Sequence, residues 1–249
     1  MSAPILSVSN LYKRFAGLVA TNDLSLDVRP GETHALIGPN GAGKTTLIAQ
    51  LQGELAPDSG TITFKGRDIT QEPPHRRSQL GMARSFQITS IFPQFTALAN
   101  VALAVQAQQG HGFRFWVDAW RDPSLTKPAM EALATIGLDH RAQIIAEDLS
   151  HGERRQLELA MALAMKPSLL LLDEPMAGMG RQDGQRMTRI LDGLKKDYAI
   201  LLVEHDMDAV FALADRVSVL VAGAIIATGE PQSIRSDAAV KAAYLGHRS

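Results

Sequence analysis

Apolar and polar residues alternate in two stretches near the start of the chain, ILSVSNL at 5–11 and LSLDV at 24–28. That pattern predicts strands with one face buried and the other in water. RPGE at 29–32 reads as a turn. THALIG, 33–38, is an apolar strand that runs straight into PNGAGKTTLIAQL, a glycine-rich loop followed by a helix. PDSG at 57–60 closes that unit, and TITFKG at 61–66 alternates again, as an antiparallel strand does. The first third therefore combines an antiparallel sheet with one strand–loop–helix unit.

The pattern then changes. Residues 88–165 are rich in Ala, Leu, Met and Gln and read as mainly helical. LLLL at 169–172 and AILLV at 199–203 are continuous apolar runs, expected of parallel strands covered on both faces. VSVLVAGAIIATG, 217–229, reads as two strands with a turn near Gly223, and Pro231 begins a short helical tail. The expected architecture is one α/β domain over 1–249. Residues 1–87 and 166–249 would form the β/catalytic core, with 88–165 as an inserted helical subdomain.

Composition narrows the function classes. Lys plus Arg number 25 and Asp plus Glu 26, a net charge of −1. Such a balance argues against a dedicated nucleic-acid binder. The chain has no cysteine, which excludes disulfides and thiolate metal sites. MSAPILSVSNLYKRF lacks the basic start, apolar run and small-residue cleavage site of a secretory signal. VSVLVAGAIIA at 217–227 is too short to span a bilayer. At a membrane, another polypeptide would have to hold this one.

Four stretches carry chemistry. GPNGAGKT, Gly38 to Thr45, fits G-x-x-x-x-G-K-[ST]. Its glycines let successive backbone N–H groups curl around phosphate oxygens, and the next helix adds its positive end. Gly38, Pro39, Asn40, Gly41, Ala42, Gly43, Lys44, Thr45 and Thr46 are thus candidates for holding a nucleotide. Lys44 would reach the β- and γ-phosphates, and the Thr45 hydroxyl would meet Mg²⁺. LLLLDEP places Asp173 and Glu174 at a strand's carboxyl end, where ligands of α/β sheets bind. Asp173 is the expected Mg²⁺ partner and Glu174 the general base for an attacking water. ILLVEHD puts His205 at another strand end, a candidate γ-phosphate contact. ARSFQ ends in Gln87, whose carbonyl could meet Mg²⁺ or the water.

DLSHGERRQLELA, 148–160, offers a second anion cradle. Ser150 with Glu153 three residues on is a capping box. Capping leaves Gly152 unexplained, because glycine weakens a first turn unless something must approach the backbone closely.

In this order, GPNGAGKT, a glutamine loop, LSHGE, LLLLDEP and EHD resemble the ATP-binding cassette (ABC) ATPases, across nearly the whole chain. The resemblance implies a P-loop NTPase cassette with an N-terminal antiparallel β subdomain, a RecA-like parallel-sheet core and an inserted helical subdomain. It implies ATP and Mg²⁺ as ligands. It also implies a head-to-tail pair of cassettes in which Ser150, Gly152 and Glu153 serve the neighbour's nucleotide. Phe15 falls where the family stacks an aromatic on adenine, with Tyr12 a lesser candidate. ARSFQ, LSHGERRQLELAMALA, LLLDEPMAGM, VEHDMDAVF and AYLG are similar to the branched-chain amino acid uptake subgroup, and the segment 106–124 to the longer of its two ATPase subunits. The implied partners are a second ATPase subunit, two membrane permease subunits and, indirectly, a substrate-binding protein, with no nucleic acid. The implied location is the cytoplasmic face of the inner membrane.

Two positions depart from the wider family. His151 and Glu153 replace its commoner Gly and Gln, and Gly180 stands where an Asp or Asn normally reaches the partner cassette. Other ABC transporters, including lipid exporters, and non-transport ABC ATPases are the rival readings; a small-molecule kinase would not need the 150–153 helix start. HGFRFWVDAWRDPS, 111–124, is either helical-block core or a permease surface through Phe113, Phe115, Trp116 and Trp120. PHRRS at 74–78 reads as a solvated basic loop.

Overall fold

The computed structural model describes residues 3–85, 91–109 and 122–245. Two sheets organise them. The first is antiparallel, in the order β2 (Leu18–Val28), β1 (Leu6–Phe15), β4 (Ser59–Phe64), β5 (Arg67–Asp68). The second runs β10 (Ala224–Gly229), β9 (Arg216–Val221), β3 (Thr33–Ile37), β8 (Ala199–Val203), β7 (Leu169–Asp173), β6 (Met82–Ser85). Its neighbours are parallel except β10, which is antiparallel to β9. Helices α1 (Lys44–Gln52) and α2 (Pro74–Gln79) lie in the first third. Next come α3 (Ala97–Gln109), α4 (Pro123–Thr135) and α5 (His151–Ala164). Helices α6 (Arg181–Leu194), α7 (Met207–Leu213), α8 (Pro231–Ser236) and α9 (Ala238–Leu245) complete the chain.

Side-chain parity shows how one apolar run serves two cores. Successive residues of a strand point to opposite faces. Leu169 and Leu171 of β7 therefore pack with Leu47, Ile48 and Leu51 of α1 and with Phe64 of the antiparallel sheet. Leu170 and Leu172 join Leu157 of α5 and Leu191 of α6. In β8, Leu201 and Val203 divide from Ile200 and Leu202 in the same way. The sheet thus separates the P-loop helix from the helical block.

β1 and β2 are longer than their alternating segments because the pattern breaks at a bulge. Register shifts follow Val8 and Leu11, and Asn10 and Asp23 both sit at positive φ. The Asn10 side chain donates to Asp23 Oδ1 at 2.7 Å and pins the irregularity.

PHRRS is not a solvated loop, and the structure corrects that expectation. Pro74 opens α2, and Arg77 is 2% exposed. Its guanidinium donates to Glu72 O (2.8 Å), Gln50 O and Leu51 O (2.7 Å each) and Thr70 O (3.0 Å). Those carbonyls include the end of α1, which an ordinary helix leaves unpaired. Arg77 is therefore a C-terminal clamp on the helix that carries the P-loop at its other end.

A second polar cluster joins the two sheets. Arg216 at the start of β9 donates to Asp27 Oδ2 and to Glu32 Oε1, both at 2.8 Å. Beside them His34 is fully buried, donating from Nδ1 to Asp27 O (2.7 Å) while Nε2 lies 2.8 Å from Ser218 Oγ. Burial, helped by the Arg216 charge, drives the His34 pKa down to about 4.

Candidate functional site

β3, β8 and β7 are parallel neighbours, so their carboxyl ends lie side by side. Everything the sequence marks for phosphate chemistry in the catalytic core, apart from Gln87, follows one of those ends. The glycine-rich loop follows β3, Asp173 and Glu174 end β7, and Glu204 and His205 follow β8. A parallel sheet collects ligands at such an edge.

The loop is wedged into its shape. Gly41 and Gly43 hold φ of 78° and 108°. A Cβ on Gly43 would stand 2.3 Å from the Ala20 carbonyl oxygen of β2, so any larger residue would push the β1–β2 hairpin away. Gly223 N donates to Ala42 O at 2.8 Å and ties the loop to the β9–β10 turn. Lys44 is buried and donates from Nζ to Gly38 O at 2.7 Å and Pro39 O at 3.1 Å. Burial pulls its pKa down, while the Glu174 and Asp173 carboxylates pull it up. The first turn of α1 carries no acid, so its positive end is left for an anion. Thr45 is exposed on that turn and Thr46 half-buried.

Asp173 is 7% exposed, and its Oδ2 has no hydrogen-bond partner among the described residues. Burial pushes its pKa up; Arg84 opposes that. A buried, unpaired carboxylate oxygen demands a partner. Together with the Thr45 hydroxyl it is a hard-oxygen donor set of the kind Mg²⁺ takes. Glu174 is half-buried and unusual in its backbone, at φ 50°. Its N–H donates to Val203 O at 2.8 Å. His205 is exposed, with Nδ1 3.6 Å from Glu174 Oε1. Gln87 lies outside the described residues.

The N-terminus of α5 is exposed at Ser150 and His151. The capping box is complete: Glu153 N donates to Ser150 Oγ (3.2 Å), and Ser150 N to Glu153 Oε2 (2.8 Å). His151 Nε2 lies 3.3 Å from Ala177 O, on the chain leaving β7. Gly152 has an explanation within the chain. A Cβ there would meet Asp183 Cγ and Oδ2 of α6 at 2.8 Å. Gly180 is exposed and forms the N-cap of α6.

Phe15 ends β1, is 45% exposed, and carries Lys13 Nζ 5.7 Å from its ring centre. Tyr12 is half-buried. The aromatics at 113, 115, 116 and 120 lie outside the described residues. A different exposed pair, Phe92 and Phe95, stacks at 5.3 Å. Phe95 lines a cleft of about 380 Å³ with Thr96, Leu98, Ala102 and Gln143. That surface was not legible beforehand; the phenylalanines flanking Pro93 were its only signal. Glu204, which the sequence places with His205 at the end of β8 without a role, proves to be buried. An acid directly after a wholly apolar strand was the available sign.

Comparison with known proteins agrees with this geometry. A family model described as ABC transporter matches residues 21–177, and one described as branched-chain amino acid ATP-binding cassette transporter matches 224–249. The chain is 37% identical to the high-affinity branched-chain amino acid transport ATP-binding protein LivG of Salmonella typhimurium, over 99% of both chains. It is 35% identical to BraF of Pseudomonas aeruginosa, which bears the same description, again over 99% of both. A crystal structure of an ABC transporter cassette in its ADP conformation superposes with a TM-score of 0.87 at 29% identity, covering 99% of this chain and all of the other. Among the described residues no helix is long and apolar enough to cross a membrane. On these matches the chain belongs to the ATP-binding cassette family of transporter ATPases, among its branched-chain amino acid transport ATP-binding proteins.

Proposed function

We propose that this chain is the ATP-hydrolysing subunit of an importer for branched-chain or related amino acids, working on the cytoplasmic face of the inner membrane. The observation that carries the reading is the convergence of Lys44, Asp173, Glu174 and His205 on three adjacent strand ends, with His205 Nδ1 3.6 Å from Glu174 Oε1. Lys44 exchanges its bonds to Gly38 and Pro39 carbonyls for phosphate oxygens. Glu174 orients water and accepts its proton, and His205 beside it contacts the γ-phosphate. Thr45, Asp173 and Gln87 are the residues that would hold Mg²⁺, which supplies charge neutralisation at the phosphates. Phe15 offers its exposed ring to the adenine.

The exposed α5 terminus supports a head-to-tail pair. Ser150, Gly152 and Glu153 belong to one cassette and cap the nucleotide held by the other, whether the partner is a second copy or a different ATPase subunit. The Phe92–Phe95 surface and its cleft suit a permease subunit, since aromatics anchor interfaces; a substrate-binding protein acts beyond it. Glu174→Gln tests the core of this reading. It is expected to bind ATP and accumulate paired cassettes while phosphate release falls by about 10²-fold or more. Wild-type turnover by that variant would remove Glu174 from the role. Uptake of labelled leucine by vesicles containing the full transporter then tests the cargo.

A further inference from the structure

Glu204 is 1% exposed, yet it is an acid set beside two others, Asp173 and Glu174. Among the described residues its hydrogen bonds are all to backbone, and Oε2 also lies 3.8 Å from His205 Nδ1. Oε1 accepts Met176 N–H at 3.1 Å, and Oε2 accepts His205 N–H at 2.9 Å and Asp206 N–H at 3.3 Å. A buried carboxylate costs far more than an apolar residue of the same size unless its bonds accomplish something a hydrocarbon cannot. Here they join two chain segments. Met176 lies two residues past Glu174 on the chain leaving β7, and His205 is the first residue past Glu204 itself.

Between those anchors Glu174 holds the left-handed backbone, at φ 50°. For a non-glycine residue that conformation persists only where the surroundings over-determine it. The restraints are visible on both sides. Glu174 N–H is bonded to Val203 O at 2.8 Å, and Met176 N–H to Glu204. One carboxylate thus sets the backbone behind Glu174 and the backbone of His205 at once.

We infer that Glu204 is a positioning residue for ATP hydrolysis, its carboxylate clamping the two backbone segments so that Glu174 and His205 face the same point. Its action runs through the residues it holds. The inference rests on the reading of Glu174 as base and His205 as γ-phosphate contact.

The test is steady-state ATP hydrolysis by the transporter complex carrying Glu204→Gln. The amide keeps the shape but turns one acceptor into a donor that faces backbone N–H groups. The expected result is a split: kcat falls about 10- to 100-fold, the scale of a misplacement near 1 Å, while KM for ATP stays within about twofold. Unchanged kcat overturns the inference, as does loss of ATP affinity in step with kcat, which would mark a merely structural acid. Should Glu204→Gln not fold, Glu204→Ala removes the carboxylate without adding an opposing donor, and the same split is expected. Glu174→Gln is measured alongside. If it turns over normally, the underlying assignment fails and the inference with it. If Glu174→Gln is inactive while Glu204→Gln runs at full rate, only the role of Glu204 is refuted.

Discussion

Arg77→Met isolates a single buried cation whose work is structural. The guanidinium makes four hydrogen bonds of 2.7–3.0 Å, all to carbonyl oxygens. Methionine matches much of the stem and supplies no donor. The two bonds to Gln50 O and Leu51 O are themselves buried, so water cannot replace them cheaply. Gln50 O keeps the Gly53 N–H at 3.1 Å, so the substitution orphans Leu51 O, at a cost of about 1–3 kcal/mol. Relief from burying the charge, which already lowers the Arg77 pKa, offsets part of it. A net loss of about 1–2 kcal/mol remains, a fall in Tm of about 3–8 °C for a chain of this length. Denaturant unfolding of the full chain measures it, with Arg76→Met as control. Arg76 is exposed and reaches only the Gln79 side chain, so its replacement stays within about 0.5 kcal/mol. Equal, small effects from both variants would refute the clamp.

Three further outcomes are expected. His34 has a folded pKa of about 4 against an ordinary 6.5, so the unfolded chain takes the proton first. Its contribution is complete above about pH 6.5 and is lost as pH falls towards 4, on the order of 3 kcal/mol in all; denaturant midpoints across that range measure the slope, and His34→Gln flattens it. Ser150→Ala removes a cap worth about 1 kcal/mol and depresses hydrolysis on the partner's P-loop; loss of ATP binding by the substituted subunit itself would refute the trans arrangement. Phe15→Ala weakens ATP binding about 2- to 10-fold in a fluorescence titration, the scale of one lost stacking contact, and an unchanged Kd would exclude Phe15 as the adenine platform.

The strands that carry the site were legible because they rest on local chemistry; their order was not. The runs at 169–172 and 199–203 have the continuous apolar pattern expected of strands covered on both faces, and the glycine pattern before Lys44 has few other uses. What escaped notice depends on long-range partners. Arg77 looked like one of two equivalent arginines, and nothing local distinguishes it from Arg76. Its acceptors on α1 lie 26 and 27 residues away. β6 was hidden because its four residues include Arg84 and Ser85 and carry no periodicity. Glu204 was noticed only as the residue before a histidine. Its meaning comes from Met176, 28 residues earlier, brought beside it by the pairing of β7 with β8.

Asp183 leaves no space for a methyl group at residue 152. Replacing Gly152 is an obvious way to poison the neighbouring catalytic centre in a mixed assembly. It would also force aside the Asp183 side chain in the first turn of α6, which starts next to the loop leaving Glu174. Donor and recipient subunits would then both be damaged, and a drop in turnover could not be credited to either. Hybrid complexes meant to count how many working centres a transport cycle needs should be marked at Ser150 instead.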